Sequence, residues 1–213
     1  MQDAGSVVAA PVTGQWLVLT PPGHAAGAFD LVAVDATTGR YARRGRWEYL
    51  AGRVRVEDVH GWSRPVVAPS AGEVVTAHDG ERDRRRLVPL VDAPTGLVVR
   101  PLLQRGRVAG MAGNHVVVST AAGYVLLAHL QQASVAVRPG ERVSAGQHLG
   151  RIGNSGSSLG PHLHVQVMEG PDPAAARIVP FRVAAYDVWT GQAWRPRVKA
   201  TLPSRATRVR FPE

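Results

Sequence analysis

The sequence predicts a mainly β protein, an antiparallel sheet with loop insertions, and two observations carry that expectation. Short Val- and Leu-rich runs recur between turn signals, and helix-favouring runs are scarce, while glycine (23) and proline (16) punctuate the chain. With 213 residues, 45% of them hydrophobic, the chain is long enough to bury its own core. No stretch approaches the roughly 20 apolar residues that span a bilayer, so no transmembrane segment is expected.

Taken in order, residues 13–20 (TGQWLVLT) and 27–35 (GAFDLVAVD) read as strands, joined by the turn-rich PPGHAA that carries His24. Residues 37–52 form a polar excursion. From 60 to 80, two short apolar runs flank a Pro/Ser/Gly turn, a hairpin-like pattern. Residues 81–113 lack clean periodicity and read as an insertion; Arg84, Arg85 and Arg86 within it fit a solvated face. GNHVVVST (113–120) and GYVLLAHL (123–130) are strands, followed by a compact meander through HLGRIG (148–153). The loop NSGSSLGP leads into the strand GPHLHVQV, and residues 170–181 suggest a turn and a short helix. The expected organisation is one β domain over 1–186, with 187–213 as a C-terminal extension packed on it or trailing it.

Charge and composition exclude several classes. The formal net charge is +9, almost all of its positive part arginine, because Lys199 is the only lysine. Such a balance can draw a protein to nucleic acid, anionic lipid or acidic polymers. The chain has neither aromatic residues interleaved with basic ones nor a basic recognition helix, so nucleic acid is not an expected partner. Without cysteine there is no disulfide and no thiolate metal site, and any metal must be held by His, Asp and Glu. The opening MQDAGSVVAAPVTGQW has no positively charged n-region and does not read as a secretory signal, which leaves a cytoplasmic location open.

The chemistry concentrates in GPHLHVQV. Successive strand side chains alternate faces, so His162, His164, Gln166 and Met168 share one side while Leu163, Val165 and Val167 share the other. The apolar side supplies core. The two imidazoles, about 6.5 to 7 Å apart at Cα, can meet one small ion and its substrate. A catalytic zinc-type site needs three ligands from His and carboxylate plus an open position. His24 in its turn, Asp30 on the following strand and His164 are the expected ligands, and His162 stands beside the ion as an acid or base. His129, where the apolar pattern of VLLAHLQQ turns polar, can reach a site at the strand ends. His60, His78, His115 and His148 are expected to be structural.

GNSGSSLGPHLHVQV resembles the H-x-H segment of the lysostaphin/LytM-type zinc endopeptidases. PVVAPSAGEVVTAHDG resembles that family's strand-turn-strand unit, YVLLAHL its Y-x-x-x-x-H-L strand, and VRPGERVSAGQHLGRIG its hairpin, in the family's order over roughly 65–168. The resemblance implies an antiparallel sheet with a substrate groove and a zinc ion held by His164, His24 and Asp30. It also implies catalytic roles, left undivided, for His162 and His129. His24 and Asp30 have five residues between them where the family usually has three; the context AFDLVAVD resembles a longer-spaced branch. The implied activity is hydrolysis of peptide bonds in bacterial peptidoglycan or related peptides, at the cell envelope or outside the cell. The alternative is a degenerate peptidase-like module that binds the wall or activates another protein.

Two other readings fail on single residues. The turn pattern near 138–153 also resembles biotinyl and lipoyl carrier domains, but those need a lysine at a hairpin tip, and Lys199 lies in the tail. GNSGSS approximates a serine nucleophile elbow, but Ser157 stands where the elbow needs glycine.

Overall fold

The structure, a computed structural model, describes residues 6–20, 27–88, 92, 108–203 and 206–213. Within them the strands are β1 (Ser6–Val8), β2 (Gly14–Leu19), β3 (Ala28–Ala33), β4 (Val54–Arg55), β5 (Pro65–Val67), β6 (Gly72–His78), β7 (Arg86–Leu87) and β8 (Asn114–Thr120). They continue with β9 (Gly123–Leu130), β10 (Arg142–Val143), β11 (His148–Arg151), β12 (Leu163–Met168), β13 (Ile178–Val179), β14 (Phe181–Trp189), β15 (Trp194–Ala200) and β16 (Thr207–Phe211). Two α-helices, α1 (Arg46–Leu50) and α2 (Val108–Ala112), have five residues each. The mainly β expectation holds.

One large sheet runs in the order β1-β14-β16-β2-β3-β12-β9-β8-β6-β10, with β13 beside β12 and β15 beside β14. Its pairs are antiparallel except β1 with β14, which are parallel. The central strands β3, β12, β9 and β8 are apolar on one face, where Leu31, Leu163, Val165, Leu127, Val116 and Val118 join Trp16, Phe181 and Phe211 in the main core. Their other face carries Leu126, Ala128, Val117 and Met168, against which Tyr124, Ala112, Ala176 and Ile178 pack. Burial on both faces explains why these strands read as nearly unbroken apolar runs.

Several local expectations are corrected. The runs at 60–80 do not form a hairpin: β5 pairs with β11, while β6 pairs with β8 and β10. The meander after β9 therefore returns two short strands to upstream partners. Residues 170–181 contain a turn and β13 instead of a helix. A single turn closes there, with the Ala175 and Ala176 N–H groups on the Asp172 carbonyl, before Ile178 and Val179 leave to pair with β12. The polar excursion at 37–52 contributes α1 and part of a second apolar cluster, in which Tyr41, Tyr49 and Trp62 pack on Val54, Val56, Val59 and Leu87. At the C-terminal end, β16 lies between β14 and β2, and β15 lies beside β14, so the tail packs on the domain as strands of its sheet. Arg84 also departs from the solvated-face reading; Arg85 and Arg86 are exposed, but Arg84 is only half-buried at its surface and points inward to main-chain carbonyls.

Leu127 is fully buried at the centre of this core. Leu127→Ala should cost about 2–5 kcal/mol of stability, visible as a lower urea midpoint with an unchanged slope in chemical denaturation.

Candidate functional site

The register of three central strands brings the site together. His164 on β12 lies directly opposite Asp30 on β3 and Ala128 on β9, and Ala128 lies opposite His115 on β8, which faces His78 on β6. Directly opposed residues share a face, so Asp30, His164, Ala128, His115 and His78 form one row across five strands. Alanine at 128 leaves room beside His164. The Asp30 carboxylate Oδ1 stands 2.9 Å from His164 Nδ1 and 3.5 Å from His162 Nε2.

His129 joins this cluster through an irregularity. Strict alternation would send it to the core face after Leu127. Instead, Asn114 pairs with Leu130 and His115 with Ala128, which leaves His129 as the extra residue of a β-bulge. Its φ of 63° is left-handed, a conformation uncommon outside glycine, and it turns the side chain onto the site face. The His129 ring centroid lies 4.7 Å from that of His162 and 6.0 Å from that of His164.

Each imidazole is held by a different acceptor. His129 Nδ1–H donates to the Ser155 carbonyl at 3.0 Å, and His162 Nδ1–H to the Gly160 carbonyl at 2.8 Å. His164 Nε2–H donates to Gln166 Oε1 at 2.9 Å. Because a carbonyl oxygen only accepts, these bonds fix the tautomers. The lone pairs of neutral rings are then at Nε2 of His129, Nε2 of His162 and Nδ1 of His164. Asp30, His129 and His162 are only 6%, 9% and 8% exposed. Burial first, and then the neighbouring rings of His162 and His164, hold the His129 pKa well below the usual imidazole range, so this ring is neutral. For His162, burial opposes protonation, but the Asp30 carboxylate and the Gly160 carbonyl together outweigh it and raise the pKa above the usual value.

The donor set fits a small cation. His164 Nδ1 and the Asp30 carboxylate stand 2.9 Å apart, a distance that a shared proton spans as a hydrogen bond and at which a small cation can take the proton's place. Tetrahedral zinc bonds of about 2.0–2.2 Å place two of its ligands about 3.3–3.6 Å apart, so this pair is close enough to open slightly onto one ion. Among the described residues, no three His, Asp or Glu side chains already close around one point. Asp30 and His164 are thus the two expected ligands that the structure brings together, and His129 and His162 stand beside them. The third expected ligand, His24, lies outside the described residues.

Sequence reasoning missed the residues that position the imidazoles. Ser155 accepts the Asn114 backbone N–H at 3.0 Å and donates to the Leu130 carbonyl at 2.7 Å, tying the loop before β12 to both strands of the bulge. The fully buried Asn114 side chain accepts from the N–H groups of Gly80 and Glu81 and donates to the carbonyls of Glu81 and Leu130. Gly156, at φ +65°, allows the loop to touch residue 113: a Cβ there would sit 2.4 Å from the Gly113 nitrogen. Gln166 was legible, since it falls on the histidine face two residues beyond His164. The role of Asn114 had no local signal.

Residues 58–176, more than half of the chain, match the family model Peptidase family M23. The curated relative Peptidoglycan DD-endopeptidase ShyA of Vibrio cholerae serotype O1 is 37% identical over 65 residues, which cover 30% of this chain and 15% of that protein. The chain thus matches only a small part of that relative's length. Among solved structures, the catalytic domain of lysostaphin from Staphylococcus simulans aligns with a TM-score of 0.41 and 18% identity, over 78% of this chain and 88% of that one. The catalytic domain of the prophage-encoded M23 protein EnpA from Enterococcus faecalis aligns with a TM-score of 0.42 and 16% identity, over 82% and 87%. Among the described residues, no helix is long and apolar enough to cross a membrane. With more than half of its length matched by the family model, the chain belongs to peptidase family M23.

Proposed function

We propose that this chain is a zinc-dependent endopeptidase that hydrolyses amide bonds in the peptide part of bacterial peptidoglycan or in related peptides, acting at the cell envelope or outside the cell. The observation that carries the reading is the Asp30 carboxylate 2.9 Å from a His164 nitrogen whose other ring position is already occupied by Gln166. Family membership and the peptidoglycan activity in the relative's name support the substrate class. On this reading Asp30, His164 and His24 hold zinc.

When bound there, zinc supplies Lewis acidity toward the scissile carbonyl and lowers the pKa of water. The chain's own groups do the rest. His129, kept neutral by burial and with its proton committed to Ser155, presents Nε2 as a proton acceptor. His162, with its Nδ1–H committed to the Gly160 carbonyl, presents Nε2 beside it, and the two rings share the proton-accepting and proton-donating roles toward water, oxyanion and leaving amine.

Digestion of purified muropeptides with and without a chelator tests the proposal. Cleavage should require about one zinc per chain and stop on chelation. A protein that binds muropeptides without zinc and without cleavage would instead be a wall-binding or activator module. His164→Ala should abolish zinc retention. His162→Ala should keep zinc while kcat falls by about 10²–10⁴-fold, and unchanged hydrolysis would refute the role given to His162. Gln166→Leu, which removes only the partner of His164 Nε2, should weaken zinc affinity about 10–100-fold by competition titration.

A further inference from the structure

We infer that Arg84 is a positioning residue for the two imidazoles outside the ligand set, holding the loop that orients both His129 and His162. The inference rests on the peptidase reading for its kinetic consequence only. Arg84 Nη1 donates to the Gly156 carbonyl at 2.9 Å, and Nη2 donates to the Ser158 carbonyl. A guanidinium is a rigid planar fork, so it fixes these two oxygens, two residues apart, relative to one another. The adjoining loop groups are the ones the histidines use. Ser155, one residue before Gly156, accepts from His129 Nδ1. Ser158 Oγ donates to the Gly160 carbonyl at 2.7 Å and lies 3.2 Å from His162 Nδ1, which itself donates to Gly160.

Neighbouring contacts act in the same direction. The Arg84 backbone N–H and carbonyl both bond Asn154, at 3.3 Å and 2.8 Å. The Asp83 carboxylate bridges two segments, accepting from Asn154 N–H at 2.6 Å with one oxygen and from Gln132 N–H at 2.8 Å with the other. Gln132 lies three residues beyond His129. Residues 83 and 84 therefore hold the chain just after His129, 49 residues away, and the loop just before His162, 71 and 72 residues away, in one frame. The guanidinium Nε lies 3.8 Å from Asp92, which balances the charge. None of these contacts touches β3 or the Asp30–His164 pair. Arg84 controls where the two imidazoles point, and ion retention belongs to other strands.

The test compares wild type, Arg84→Lys and Arg84→Ala as full chains loaded with zinc. Zinc content, kcat and KM on muropeptides, and the ¹⁵N ring signals that report imidazole tautomers are measured on each. Lysine keeps the charge and most of the packing but replaces the rigid planar fork with a point-like ammonium on a flexible stem, so it tests the fork if the alanine variant fails to fold. Zinc content should stay at the wild-type value and KM should change by no more than about two-fold. Expected kcat losses are about 10–100-fold for alanine and smaller for lysine, with partial recovery of the alanine variant in added guanidinium. The Nδ1–H signals of His129 and His162 should shift or broaden while the Nε2–H signal of His164 stays fixed. Unaltered ring signals with wild-type kcat would overturn the inference, as would zinc loss in step with activity. If the wild type itself cleaves nothing, the peptidase reading fails, and the ring signals alone decide the role of Arg84.

Discussion

The pairing of Asp30 with His164 across two antiparallel strands is the constraint on which the site depends. Side chains alternate along a strand, so a slip of one residue between β3 and β12 would place the carboxylate and the imidazole on opposite faces. The apolar side excludes that slip. Leu163 faces Leu31 and Val165 faces Phe29 in the same register that puts His164 opposite Asp30, and all four apolar residues lie in the main core. Burying them settles the alignment of the polar pair, so the hydrophobic effect sets the geometry of the chemistry. The flanking strands β2 and β9 hold the pair between them and leave neither β3 nor β12 at a sheet edge.

The other two imidazoles reach the site by departures from regular structure. His129 is the odd residue of a bulge, in a left-handed conformation that a β-strand does not otherwise contain. His162 precedes the first residue of β12, behind Pro161 and a loop in which the Ser158 hydroxyl donates to the Gly160 carbonyl and accepts from the Gly160 N–H. Such conformations cost energy and persist where the surroundings fix them. Here the surroundings are Asn114, Ser155 and the Asp83–Arg84 arm, each satisfying several main-chain groups.

The strands and the residues of the Asp30–His164 pair were legible in sequence because each announces itself within a few residues. Period-two alternation placed His162, His164 and Gln166 on one face, and the apolar run around Asp30 marked its strand. What escaped was long-range. β5 finds β11 across some eighty residues, and β16 enters the sheet beside β2 from the far end of the chain; turn chemistry cannot encode either choice. Arg84 looked like one member of a solvated basic run because its partners are carbonyls of a loop more than seventy residues away, and carbonyls leave no trace in composition. The bulge at His129 was hidden for the same reason, since an extra residue is defined only by the strand opposite.

This difference in origin divides the site into two parts with separate physical supports. The acceptor pair of Asp30 and His164 is a product of strand register and core packing, and it survives as long as the sheet does. The orientation of His129 and His162 depends on a loop and a polar arm outside those strands. A change in the arm can therefore misdirect the imidazoles while the pair stays intact, whereas a change in register would disperse all four groups. In this chain the contacts of Asp83, Arg84, Asn114 and Ser155 are all made, so both supports of the site are in place.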